Sequence, residues 1–132
     1  MNNDSFETCL VKQFVLDTSV LIYHEDSIHG FPDSTVILPV EVLEELDSLK
    51  TRNDAVGNSA RYVNRFLDKL RESGSLSDGV RLENGQIIKV FLRSNVSSLP
   101  GSFKETMDNK ILSCAYILSK EGTNTCLISR DI

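Results

Sequence analysis

The chain has 132 residues, 40% of them hydrophobic and 25% charged, and carries a net charge of −5. That length suits one compact domain, residues 1–132, and leaves little room for a second. The composition is that of an ordinary soluble globular protein, and the acidic balance excludes a surface that grips nucleic acid over its whole extent.

Apolar runs such as Val36-Ile37-Leu38-Pro39-Val40 fall far short of a membrane span. The first residues lack the basic start and apolar core of a secretory signal, so a cytoplasmic protein is expected. The three cysteines, Cys9, Cys114 and Cys126, are odd in number and have no CxxC spacing, which argues against a disulfide framework or a structural zinc. Cys114 and Cys126 sit in apolar segments and are expected to be buried as small hydrophobes.

Residues 1–11 read as a loosely packed start. Phe14-Val15-Leu16 is a short apolar run that halts at Asp17, as a buried parallel strand would. Thr18 to Tyr23 reads as a helical turn with Val20, Leu21 and Ile22 inward, and residues 24–33 as turns. Thr35-Val36-Ile37-Leu38 is a second buried strand. Pro39 is expected to open a helix whose Val42, Leu43, Leu46 and Leu49 share one face. Residues 50–57 read as a polar loop ending at Gly57, with Asn58 or Ser59 capping a helix striped by Val63, Phe66, Leu67 and Leu70.

Residues 80–83 and 86–91, flanking Asn84-Gly85, predict a β-hairpin. A helix is predicted over about 106–119, and Thr125-Cys126-Leu127-Ile128 is a last strand. Strands alternating with helices imply an α/β domain around a central parallel sheet.

Ligands in such sheets sit outside the carboxyl ends of the strands. Asp17 follows the first strand directly, and Asp131 follows the last after Ser129-Arg130. Each alone also fits a turn or helix cap. On the helix after Pro39, Glu45 falls on the margin of the buried face, Glu44 opposite it and Glu41 farther round. Asp108 precedes Ile111 and Leu112 by three and four residues, which puts it on the inward stripe at a helix start, where it also suits the helix dipole.

Two carboxylates about 5 Å apart repel by roughly 3 kcal/mol at an effective dielectric near 20. Four converging acids therefore call for protonation or a hard divalent cation, and magnesium or manganese prefers an all-oxygen shell. The expected chemistry is hydrolysis of a phosphodiester by an activated water. His24 and His29 have no matching acid spacing and read as surface residues. Six of the fourteen basic residues, Lys50, Arg52, Arg61, Arg65, Lys69 and Arg71, cluster between positions 50 and 71. Arg61 and Arg65, one turn apart, are candidate contacts to RNA phosphates, and such binding would weaken at higher salt.

These residues resemble a known family. Phe14-Val15-Leu16-Asp17-Thr18-Ser19-Val20-Leu21-Ile22 is similar to the opening motif of PIN domains, and Leu38-Pro39-Val40-Glu41-Val42-Leu43-Glu44-Glu45-Leu46 to the second, whose functional acid maps to Glu45. Asp108-Asn109-Lys110-Ile111-Leu112 resembles the third motif and Leu127-Ile128-Ser129-Arg130-Asp131 the fourth. The segment Val56-Gly57-Asn58-Ser59-Ala60-Arg61 and the Asn-Gly hairpin look like the PIN domain that precedes PhoH-like ATPase domains.

The resemblance implies a Rossmann-like, three-layer α/β/α fold and Mg2+- or Mn2+-dependent cleavage of single-stranded RNA. Asp17, Glu45, Asp108 and Asp131 carry over as metal-binding or catalytic acids, and Ser19 and Ser129 as supporting hydroxyls. An ATPase or helicase domain would follow in the parent protein; no GxxxxGK[ST] motor motif occurs in this sequence. PIN domains continue past the fourth acid, whereas this sequence stops one residue beyond Asp131, so a C-terminally truncated form is expected. Dimers are common among PIN-like proteins, and no feature of the sequence decides for or against a homo-oligomer.

Two rival classes fit less well. Haloacid-dehalogenase phosphatases need a second aspartate where Ser19 stands, and receiver domains need an acidic pair and a late lysine that are missing. A catalytically inactive PIN-like docking or regulatory module of a larger PhoH-like protein stays open beside the nuclease.

Overall fold

The alternation of apolar strands and amphipathic helices is realised as an α/β domain in a computed structural model. The structure describes residues 12–93, 95–122 and 124–130. The expected loose start at 1–11 and Asp131 lie outside them. In chain order come β1 (Lys12–Leu16), α1 (Thr18–Tyr23), a 3-10 turn (Glu25–His29), β2 (Thr35–Pro39), α2 (Val40–Leu49) and α3 (Ala55–Arg71). After these come β3 (Val80–Arg81), β4 (Ile87–Phe91), a short 3-10 turn (Val96–Ser98), α4 (Met107–Lys120) and β5 (Asn124–Ile128).

The sheet order is β3-β4-β2-β1-β5. β1, β2, β4 and β5 run parallel, and β3 pairs antiparallel with β4 at the rim. The helices flank this sheet in the Rossmann-like manner. Val15, Leu16, Val36, Ile37 and Leu38 are wholly buried, because strands covered on both sides carry continuous apolar runs. Each such side chain contributes about 1.5–3 kcal/mol of burial. Successive strands leave β1 toward β2 and β4, and the chain then returns to the other side of β1 as β5. The reversal opens a crevice at the carboxyl ends of β1 and β5.

Several boundaries differ from the sequence reading. Pro39 ends β2 and caps α2 instead of entering its first turn. The loop read to Gly57 is shorter, and α3 starts at Ala55. Its cap is Asp54, whose Oδ1 accepts the Gly57 N–H at 3.1 Å. The ion pair with Arg52, then the Gly57 N–H, holds the Asp54 carboxyl below its ordinary range. The contribution of this cap is therefore present above that range and lost as pH falls through the lowered value. The Asn84-Gly85 turn is present, with Gly85 at φ 84°, but the paired arms stop at Arg81 and Ile87. Gln86 explains the longer loop: buried, it donates through Nε2 to the Ile28 carbonyl and accepts the Phe31 N–H at 3.3 Å.

The cysteines part company. Cys114 on α4 is buried, as expected, and burial pushes its thiol up to about 12. Cys126 is exposed, contrary to the sequence reading, because β5 is an edge strand. A thiol reagent at pH 8 is accordingly expected to label Cys126 and leave Cys114 unmodified until the chain is unfolded, as read by peptide mass spectrometry. No helix among the described residues is long and apolar enough to cross a membrane.

Candidate active site

The crevice is built first by Asp17. Its backbone N–H donates to the Ile128 carbonyl at 3.0 Å, which sets the end of β1 beside the end of β5. Its side chain is buried, 8% exposed, and oriented by three donors. Oδ1 accepts the Thr18 N–H at 2.8 Å. Oδ2 accepts the Ser19 hydroxyl at 3.1 Å and the Ser129 hydroxyl at 2.9 Å. A carboxylate offers about four acceptor positions, so this one keeps capacity for a further ligand. Asp17 is thus both the cap of α1 and a wall of the crevice.

The pocket at this point is lined by Asp17, Asp108, Asn109, Ile111, Leu112, Leu127 and Ser129. Asp108 stands in the first turn of α4, which Thr106 caps by accepting the Asn109 N–H at 3.2 Å. Asp108 is exposed at the pocket mouth, whereas the helix wheel turns it inward. Asn109 joins the same wall, its Nδ2 donating to the Lys104 carbonyl at 2.9 Å. Nothing in the sequence pattern singles it out from its acidic neighbour.

Glu45 is half-buried on α2 and does not line the pocket with Asp17 and Asp108. One turn earlier, Glu41 is buried at 7% exposure, although the helix wheel places it farther round. The difference arises because α4 packs on α2: Cys114, on α4, feels the Glu41 charge. Among the described residues, no three of His, Cys, Asp and Glu stand close enough to hold a metal ion. The donor set at the pocket nevertheless fits a hard cation, since it offers two carboxylates, a carboxamide and a hydroxyl and no soft ligand.

Arg61 lies elsewhere. Its guanidinium donates to the carbonyls of Lys50 at 2.6 Å and Arg52 at 2.9 Å, and to Asn58 Oδ1, tying the α2–α3 loop to α3. That engagement, which charge clustering could not show, makes Arg61 a brace for the loop. Arg65, one turn on, is exposed. His29, read as a surface residue, is half-buried and bonds Tyr62 across 3.2 Å.

A family model described as PIN domain matches residues 14–132. The chain belongs to the PIN-domain family. The match runs from β1 through the carboxyl ends where Asp17 and Ser129 meet, so the PIN assignment covers the whole crevice. Membership implies a nuclease and, generally in the family, dependence on a divalent metal.

The PIN domain is 38% identical over 129 residues to Protein PhoH2 of Bacillus subtilis (strain 168), covering 92% of this chain and 29% of that protein. It is 34% identical over 123 residues to Protein PhoH2 of Thermobispora bispora, covering 92% of this chain and 28% of that protein. To Protein PhoH2 of Mycolicibacterium smegmatis it is 33% identical over 126 residues, covering 92% and 29%. The chain therefore spans under a third of the length of these relatives.

Proposed function

We propose that this PIN domain hydrolyses phosphodiester bonds of single-stranded RNA with the help of Mg2+ or Mn2+. The observation that carries the reading is the meeting of Asp17 and Asp108, from opposite ends of the chain, in one pocket beside Ser129. Asp17 and Asp108 would hold the cation; the resemblance to PIN motifs, not the pocket, adds Glu45 and Asp131 to the proposed acid set. A bound cation would supply positive charge at a phosphoryl oxygen and lower the pKa of its water. Asp17 enters this chemistry already oriented by Thr18, Ser19 and Ser129, so little reorganisation is needed. Arg65, exposed on α3, is proposed to meet a backbone phosphate, while Arg61 holds the loop behind it.

In the longer proteins, we place this domain ahead of a PhoH-like ATPase domain. That placement rests on the similarity to Protein PhoH2 over 28–29% of its length. The rival docking module draws support from one observation, the absence of Glu45 from the Asp17 pocket.

The deciding assay is cleavage of an end-labelled single-stranded RNA by the chain, with Mn2+ or Mg2+ and with EDTA. Metal-dependent internal cleavage, with a duplex of the same sequence spared, supports the nuclease. Intact RNA under every condition supports the docking module. Ser19→Ala and Ser129→Ala, which each remove one donor to Asp17, are expected to lower metal affinity or cleavage by about 10–100-fold. Calorimetry and initial rates check this, and unchanged values would mean that the hydroxyls do not orient the acid.

A further inference from the structure

A second groove lies on the other side of Ser19, lined by Ser19, Ile22, Tyr23, Val56 and Arg130. Its main feature is a stack. The Arg130 guanidinium lies over the Tyr23 ring, 3.5 Å from the centroid. Both side chains face solvent, Tyr23 at 58% exposure. A large aromatic ring so exposed at the end of α1 contributes little to the core. Cation–π attraction instead flattens Arg130 against it and keeps the planar cation in place.

The groove is joined to the acid pocket through one side chain. Ser19 accepts the Arg130 N–H at 3.0 Å and donates to Asp17 Oδ2 at 3.1 Å. Whatever occupies the groove is therefore one residue away from the acid proposed to act on the phosphodiester.

Resting on the reading of the Asp17 pocket as an RNA-cleaving centre, we infer that Tyr23 and Arg130 form a stacking platform for the nucleobase next to the scissile phosphate. The chemistry selects a base over a phosphate. A phosphate would use the charge of Arg130 but gain nothing from Ile22, Val56 and the ring of Tyr23. A flat, weakly polar base uses all of them, by stacking on the guanidinium plane and covering the apolar floor. The described lining is mainly the apolar and planar surfaces of Ile22, Val56, Tyr23 and Arg130, and stacking tolerates any base but requires that the base be unstacked. It thereby favours single strands over duplexes.

The test is fluorescence anisotropy in EDTA at low salt, where the strand stays whole. The probes are a labelled oligouridylate and the same strand with abasic positions. The parent chain is expected to bind the intact strand about tenfold more tightly than the abasic one. Tyr23→Ala is expected to lose about tenfold on the intact strand and none on the abasic strand, with an unchanged salt slope, because no phosphate contact is removed. Tyr23→Phe keeps the ring and restores binding. Equal affinity of the parent for both strands, or an unaffected Tyr23→Ala protein, overturns the platform, as does a parent that binds neither strand. Cleavage is scored separately with Mn2+. Cleavage with Tyr23-independent binding removes the platform and keeps the nuclease, whereas Tyr23-dependent binding without cleavage supports the platform and removes the nuclease.

Discussion

Replacement of Asp17 by asparagine is expected to lower RNA cleavage by more than about a hundredfold while the fold stays intact. Changes in groups that merely support a metal ligand cost about 10–100-fold, and a direct ligand should cost more. The substitution keeps the shape of the side chain and its carboxamide oxygen, which can still accept the Thr18 N–H that now bonds Oδ1. Asparagine caps helices about as well as aspartate, so stability should change by less than about 1 kcal/mol. The charge is what disappears. The new NH2 would also face the Ser19 and Ser129 hydroxyls, which now donate to Oδ2 and would have to turn. Initial rates with Mn2+, beside a thermal melt, separate lost chemistry from lost fold. Wild-type rates in the Asp17→Asn protein would remove Asp17 from the mechanism.

The second large effect is on stability. Gly57→Ala would set a Cβ 2.0 Å from the carbonyl oxygen of Arg52 and 2.7 Å from its carbonyl carbon. Backbone, unlike a flexible side-chain end, cannot swing away. Arg52 is moreover held by its ion pair to Asp54, and its carbonyl accepts the Arg61 guanidinium at 2.9 Å. Relief requires the loop to move and that bond to break. We expect a loss of about 3 kcal/mol, or on the order of 10 °C in Tm. Gly74→Ala is the control, since its Cβ would meet only Val80 Cγ2 at an ordinary 3.6 Å. Equal melting of the two variants would mean that the loop yields more readily than its contacts imply.

The same glycine shows where sequence reading succeeds and where it stops. From sequence, Gly57 reads as the end of a loop, because glycine lowers helix propensity. In the structure it lies in the first turn of α3, where the Arg52 carbonyl leaves no room for a side chain. A contact across a loop outweighs a local preference. By contrast, α1 is legible to the residue, since Asp17 ends an apolar run and caps the helix after it. β1, β2 and β5 are legible from their apolar content. Their order in the sheet is not, and that order decides that β5 is an edge and Cys126 exposed.

The candidate site divides in the same way. Asp17 and Asp108 stand out because strand ends and helix starts fix where a carboxylate can point. Periodicity on α2 favours Glu45 over Glu41, yet packing against α4 buries Glu41, and no single-helix pattern carries that information. Arg61 looks like a free cation in sequence because its acceptors are mostly backbone carbonyls, which every residue has. Tyr23 and Arg130 escape a sequence reading because they lie at opposite ends of the chain and meet only through the β1–β5 pairing.

Convergence of the distant acids on one cation is tested most directly by Mn2+ calorimetry on the chain and on its Asp17→Asn and Asp108→Asn variants. Binding by the parent, lost or greatly weakened in both variants, is the expected result. Absence of binding by the parent, or full binding by either variant, would contradict a shared metal site at the carboxyl ends of β1 and β5.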